Sequence, residues 1–444
     1  MMRRSGGLGA GLIVWLALGG VVHTRQARAE VVLAKTSGGL EFFSEGRLGG
    51  FFEAVTGQTL PTAFDQNGNA TPTIGAGGVD VAGLNTILPM GGIGQGTIHA
   101  TRIRSGFLGN ILAFGVRMPL TERVRLSGYI SVWADIESEN ERKYESIYPD
   151  AREGYLRIEG PAGTLLVGRS TTLYSRGATE IDFLYGHRYG VGNPAGFNTQ
   201  GPSGGQVGYG LLANGFGAGV AYATPSLGGF VLTVGYYDPN RFVGLYWDRT
   251  QLGRPEGEAT YDLVAGKVKL HLFLNGAYQK IYAVSSDRSD TVWGVGAGGR
   301  LEISFFHIGI AGHSGQGLGL NYAFDGSDAV VDVASIGGGH NKQLRKFDGI
   351  YAQAQVVLGH FDLQAGAGET RVHEVSGDVV VDPTSGLVNE NILKDQLGIN
   401  ASVVYHFSEF LHFDADYFRA SAQWWLLGQS QVVNTFNAGL TLTW

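Results

Sequence analysis

The chain has 444 residues, among them 72 Gly, 12 Pro and no Cys; 43% are hydrophobic and 16% charged. That apolar share argues against wholesale disorder, and the Gly follow no G-X-Y period, so the chain is not collagen-like. Zero Cys excludes disulfides, thiolate metal sites, Cys nucleophiles and an N-terminal lipoprotein anchor, and a formal charge of −7 argues against a nucleic-acid partner.

The first segment reads as a secretory signal. Arg3 and Arg4 give a positive start, an apolar run follows from Leu8 to Val22, and Ala27-Arg28-Ala29 forms a small-x-small cleavage site. Cleavage after Ala29 removes residues 1–29 with four Arg and no acid, leaving residues 30–444 with a formal charge of −11. No later stretch holds eighteen uninterrupted apolar residues, so the reading is an exported chain without a transmembrane helix.

From there the pattern has period two. In Arg123 to Ala134, Val124, Leu126, Gly128, Ile130, Val132 and Ala134 alternate with Arg123, Arg125, Ser127, Tyr129, Ser131 and Trp133. The same two-faced run recurs from Val268 to Tyr278, Ile350 to Leu358, Phe361 to Gly368 and Leu411 to Tyr417, and closes the chain at Phe436 to Trp444. In chain order the predicted strands are 40–55, 98–118, 123–136, 153–159, 164–170, 207–223, 229–238, 258–265, 268–283, 291–301, 304–314, 346–358, 360–374, 393–406, 410–424 and 433–444. A soluble β-sandwich also alternates, but here the apolar faces end in aromatics such as Tyr278, Tyr417, Phe436 and Trp444. Short connections such as Pro119-Leu120-Thr121-Glu122, Gly160-Pro161-Ala162-Gly163 and Thr224-Pro225-Ser226-Leu227 alternate with long ones near 56–97, 137–152, 171–206, 239–257, 315–345 and 375–392. The prediction is all-β: a transmembrane antiparallel β-barrel of about sixteen strands occupying residues 30–444, wide enough for a water-filled lumen.

The second strand carries a conflict. Arg102 and Arg104 put even positions inward, whereas Leu112, Phe114, Val116 and Met118 put them outward. A β-bulge at Gly106-Phe107-Leu108-Gly109 would reverse the parity.

With these features on view, the chain resembles the Gram-negative general porin family. SEGRLGGFFEAVTG (Ser44 to Gly57) looks like that family's opening strand, and LLVGRSTTLYSRG (Leu165 to Gly177) like its fifth strand running into the third loop. The family ends in an outward aromatic, usually Phe; here it is Trp444, following Phe436, Leu440 and Leu442 in the strand read by the barrel-insertion machinery. The PEFGG-type third-loop motif of enterobacterial porins is absent. The resemblance implies a cell-outer-membrane location, contact with lipid and lipopolysaccharide, a homotrimer, and a third loop folded into the lumen, for which 171–206 is the candidate. It also implies a constriction in which loop acids Glu180 and Asp182 face wall bases Arg47, Arg102 and Arg104. Arg123, Arg125 and Arg157 lie nearer the short turns and would line the inner vestibule. The constriction set has a formal sum of +1, which predicts weak ion selectivity. Acids in the outer loops, such as Asp65, Asp80, Asp325, Asp328, Asp378 and Asp382, are screened by salt within about 10 Å.

Enzyme-like motifs carry little weight. Gly201-Pro202-Ser203-Gly204-Gly205 fits G-x-S-x-G but sits in a Gly/Pro-rich loop rather than a strand–turn–helix. His313 and Ser314 are adjacent in a strand and so face opposite ways. Asp65-x-Asn67-x-Asn69 starts like an EF-hand loop, yet Ala70 and Ala76 stand where Gly and Glu are required. The eleven His are scattered, so no metal site, no other cofactor and no catalytic residue are predicted. The leading function is a passive channel for small hydrophilic solutes and ions. A sugar- or anion-selective channel is the alternative within transport, and a barrel enzyme or adhesin the alternative outside it.

Overall fold

The computed structural model describes residues 30–58, 62–64, 70–72, 97–106, 110–134, 150–183, 205–240, 251–283, 289–320, 322–324, 333–334, 340–341, 344–374, 393–424 and 430–444. The predicted signal segment 1–29 lies outside them.

Sixteen antiparallel strands form one sheet closed on itself. They are β1 (Glu41–Gln58), β2 in two stretches (Thr97–Arg104 and Asn110–Pro119), β3 (Arg125–Ala134), β4 (Asp150–Gly160), β5 (Gly163–Thr171), β6 (Phe216–Ala223), β7 (Phe230–Tyr237) and β8 (Arg254–Ala265). The circle continues with β9 (Val268–Tyr282), β10 (Ser289–Ile303), β11 (Phe306–Gln316), β12 (Lys346–Leu358), β13 (Phe361–Val372), β14 (Leu393–His406), β15 (Leu411–Trp424) and β16 (Ser430–Thr443). Each pairs with its sequence neighbour, and β1 pairs with β16 from Arg47↔Thr443 to Gly57↔Val433, which leaves the wall without an edge.

The side-chain distribution is inside-out. On β9, Leu272, Leu274 and Tyr278 are 43–60% exposed, while His271, Asn275 and Gln279 between them are at most 6% exposed. On β12, exposed Ile350 and Leu358 alternate with buried Tyr351, Gln353 and Gln355. A soluble sandwich would show the reverse, so the alternation belongs to a barrel with an apolar exterior and a polar interior. The short turns all lie at one end, with both ends of the barrel wall. Gly266 (φ 62°) and Gly359 (φ 61°) serve the turns after β8 and β12, in the left-handed region a side chain resists.

The seam holds a further strand. Val31–Lys35 pairs with Glu41 to Ser44 of β1, next to the point where the chain ends. Gly46 and Trp444 exchange backbone hydrogen bonds of 2.7 and 3.0 Å. The Trp444 ring lies where a Cβ on Gly46 would sit, 2.4 Å from that position, so the terminal indole requires glycine there. Phe436, Leu440 and Leu442 are exposed on the outer face of β16.

The parity reversal in β2 is present, with a larger offset than a single-residue bulge. Phe51 pairs with Arg104 and Arg47 with Ile111, so four steps on β1 span seven on β2. Three extra residues, an odd number, turn the pattern over. His99, Thr101 and Ile103 are exposed before the offset, and Leu112, Phe114, Val116 and Met118 after it.

Two strand starts differ from the sequence expectation by more than three residues. The expected strand 207–223 takes in residues 207–215, where Val207, Tyr209, Leu211 and Ala213 alternate with smaller or polar residues. In the structure they precede β6, with Gly208 and Gly210 at φ 81° and 91°, and all four apolar side chains are buried inside the wall. β8 begins at Arg254 rather than 258, since Pro255 and Gly257 are accommodated in the strand where the sequence suggested a loop.

Candidate functional site: the barrel interior

The described parts of the chain between β5 and β6 pack against inward-facing side chains of the wall. After Thr171 it turns through Leu173, Tyr174 and Ser175 into a short helix, α1 (Arg176–Ile181), and a second described stretch, 205–215, leads back to β6. The middle of the predicted third loop, 184–204, lies outside the described residues. Ala178 and Ile181 of α1 and Val207, Leu211 and Ala213 of the return form one buried apolar cluster with Phe273 on β9, Ala311 on β11, Tyr351 on β12 and Trp133 on β3. Burial of that surface is the main term holding the segment against inward-facing wall residues.

Polar contacts fix its register. Glu256 on β8 accepts from the Tyr174 N–H at 2.7 Å and from Arg254 Nε at 2.6 Å. Glu258 accepts from the Gly177 N–H at 3.1 Å and from Arg176 Nε at 2.8 Å, with a second contact from the same guanidinium. The Tyr351 hydroxyl donates to the Ala178 carbonyl. Asp182 is a clasp. It accepts from the Gln206 N–H at 2.8 Å and from Gln353 Nε2 at 2.7 Å, while Gln353 Oε1 accepts from the Phe183 N–H at 2.8 Å. One carboxylate thus ties both arms of the segment to β12. On the return arm, the Gly210 N–H donates to Thr370 Oγ1 of β13 at 2.8 Å, and Tyr209 packs edge-on against Phe418 of β15 with ring centres 5.0 Å apart.

The structure divides the predicted constriction residues. Glu180 is half-buried in α1, with Arg176 Nε 3.9 Å from its carboxylate and Arg300 donating to its carbonyl at 3.5 Å. Burial pushes the Glu180 carboxyl up to about 7, against the pull of Arg176. Asp182 is 6% exposed and engaged as above. Arg47 is buried on the inner face of β1, and Asp414 on β15 feels its charge. Arg102 and Arg104 pair through their backbones with Glu53 and Phe51, and their side chains lie outside the described residues. Glu180 and Asp182 therefore belong to the wall from β8 to β12, and Arg47 to the seam.

The vestibule residues gather at the short-turn end. Arg123 is exposed in the β2–β3 turn, Arg125 opens β3 opposite Glu159, and Arg157 Nε lies 3.5 Å from Glu159 Oε1. The ion pairs Arg254–Glu256, Arg176–Glu258 and Arg300–Glu302 were not anticipated as a set. The signal is Glu256 and Glu258, two apart on one strand, but the sequence pattern starts that strand only at 258. Among the described residues no group of three His, Asp or Glu side chains is arranged to hold a metal ion.

No protein-family model matches the chain, and no curated protein matches it by sequence. Solved structures do match. The outer membrane channel DcaP of Acinetobacter baumannii superposes with a TM-score of 0.62 at 12% identity, covering 93% of this chain and 100% of the other. The anion-selective porin from Comamonas acidovorans gives 0.54 at 12% identity over 91% and 100%. OmpF of Salmonella typhi, in complex with daunomycin, gives 0.51 at 10% identity over 94% and 100%. At such identities the likeness is one of fold: this chain has the barrel fold of outer-membrane porins.

Proposed function

We propose that the chain is a Gram-negative outer-membrane porin, a passive channel through which small hydrophilic solutes and ions diffuse. The observation that carries this reading is the closed sixteen-stranded inside-out wall, apolar outside and lined with charge and amide groups inside. Sixteen strands enclose more space than side chains fill, whereas eight-stranded barrels can be filled by them. The likeness to DcaP, to an anion-selective porin and to OmpF supports the same reading. It includes export with cleavage after Ala29, a surround of lipid and lipopolysaccharide, assembly as a homotrimer, and insertion directed by the strand ending Phe436, Leu440, Leu442 and Trp444. Membership of the general porin family is part of the proposal.

Within the lumen, the segment 171–206 narrows the passage. Arg47, Arg102 and Arg104 on the wall and Glu180 on α1 set the local field, and Arg123, Arg125 and Arg157 form the vestibule on the short-turn side. Fixed charges near a narrow passage act at lower effective dielectric than charges in the outer loops, and so weigh more on ion preference. Liposome swelling tests the reading. Vesicles containing the protein should swell in isotonic solutions of small neutral solutes, at rates that fall steeply with solute size. Vesicles with verified insertion that swell no faster than empty ones would overturn it.

A further inference from the structure

The eleven His are scattered in sequence, but the fold brings five of them, His271, His307, His360, His406 and His412, to the short-turn end of the wall. Two of these meet. His406 ends β14 and His412 is the second residue of β15; they are Cα partners beside the turn that joins the two strands, and both stand on the inner face. Their Nδ1 atoms lie 2.8 Å apart, with ring planes at 86° and ring centres 4.7 Å apart. The turn between them is fixed by the Phe407 N–H, which donates to the Leu411 carbonyl at 3.0 Å. His406 Nε2 lies 3.1 Å from Asp362 Oδ2 on β13, and Gln355 Nε2 reaches the same oxygen at 3.4 Å. A carboxylate at Nε2 keeps the ring proton there and aims the Nδ1 lone pair of His406 at His412. The His406 side chain is 27% exposed, so the pair has an open side although His412 is buried.

We propose that His406 and His412 form a binding site for a divalent transition-metal ion of the Zn²⁺ and Cu²⁺ class, with water completing the coordination. Two nitrogens each about 2.0–2.1 Å from one ion, and about 90–110° apart, stand roughly 2.8–3.4 Å from each other. The pair is already at the near end of that range. Asp362 behind His406 is the outer partner that a metal-bound imidazole commonly has. Without an ion, one N–H···N hydrogen bond joins the rings, with His412 donating and His406 accepting. Binding moves the His412 proton from Nδ1 to Nε2, a tautomer change that alters no charge. Asp362 and, on β15, Asp414 give the site negative surroundings, the second shared with Arg47 on β1. The nitrogen pair decides the ion class, since Mg²⁺ and Ca²⁺ take oxygen ligands whereas imidazole suits Zn²⁺ and Cu²⁺. The site goes beyond the channel reading, because it concerns binding and not conduction.

Calorimetric titration of the folded, tag-free protein in detergent tests this without requiring current. Zn²⁺ should bind with one equivalent that excess Mg²⁺ or Ca²⁺ does not displace. His406→Gln and His412→Gln should each weaken that equivalent about a hundredfold, and Asp362→Asn about tenfold. His307→Gln, at the same end of the wall, should leave it unchanged. Where the pair variants fail to fold, electron paramagnetic resonance of the wild type with one equivalent of Cu²⁺ decides, and should show two coordinated imidazole nitrogens. Absence of Zn²⁺ binding, binding unchanged in both pair variants, or a Cu²⁺ signal from fewer than two imidazoles overturns the site. Channel current without Zn²⁺ binding removes the site alone; Zn²⁺ binding without channel current removes the channel reading alone.

Discussion

On the inner face of β8 to β12, charge meets charge. Arg254 pairs with Glu256, Arg176 with Glu258 and Arg300 with Glu302, and Gln353 holds Asp182. On the inner face of β13 to β16 the side chains are mostly amides, hydroxyls and carboxylates, with several atoms unpaired. Both faces come from the same period-two strands with the same apolar exterior. The first has a segment of the chain laid against it, whose backbone N–H groups and Arg176 engage Glu256, Glu258 and Gln353, while Asn275 on β9 keeps both amide atoms unpaired. Among the described residues, the second meets that segment near its long-loop end, at Gln206, Tyr209 and Gly210. The difference teaches that equal burial hides unequal pairing: among the described residues more polar atoms lack a partner on β13 to β16 than on β8 to β12.

The largest expected effect follows from breaking the first face. Glu258→Gln removes the nearer counter-charge of the largely buried Arg176 guanidinium, leaving Glu180 at 3.9 Å, and breaking a buried pair typically costs about 3–5 kcal/mol. The loss should be local: protease sensitivity appearing between residues 172 and 215, with noisier current and an intact barrel by circular dichroism. On the second face, Asn400→Leu removes an unpaired amide. Thermal unfolding should be unchanged or slightly later, within about 1 kcal/mol of wild type. Equal destabilisation by the two substitutions would erase the distinction between the faces.

Glu180 gives a pH-dependent contrast. Its carboxyl is pushed up to about 7 by burial, so in the folded state it is largely protonated below that value and ionised above it. The folded state therefore holds a proton that the unfolded chain has already lost, and this group's contribution to stability declines as pH rises from about 4.5 through 7. Ionisation adds a negative charge near the lumen. The reversal potential in a KCl gradient should move towards cation preference between pH 6 and 8, and Glu180→Gln should flatten that change. The smallest effect concerns the seam and the outer loops. Neutralising Arg102 and Arg104 together should shift the reversal potential towards cations, and neutralising Asp80 and Asp328 should shift it less, because charges in the outer loops expected from the sequence are screened by salt.

Much of the wall was readable from sequence because its period is two and its exterior is apolar. The runs at 268–283, 346–358, 393–406 and 410–424 match β9, β12, β14 and β15 within a residue or two. The parity conflict in β2 was readable too, because Arg102 and Leu112 demand opposite faces. Legibility failed where the same pattern serves two ends. Val207 to Ala213 alternates like a strand, yet its apolar residues fill a core inside the barrel. Asp182 reads as a lumen acid, and only tertiary structure brings Gln206 and Gln353 to it. The unpaired amides at Gln364 and Asn400 are ordinary polar strand residues in sequence; their lack of partners exists only once four strands stand side by side.

The central claim is that this closed wall encloses an aqueous path, and single-channel recording tests it most directly. Purified protein, with β-structure verified by circular dichroism, is added to a planar bilayer in KCl. The account predicts discrete, ohmic current steps that scale with salt concentration, and larger steps after deletion of about ten residues around Gly177 to Gly186. Verified insertion without current steps would contradict it.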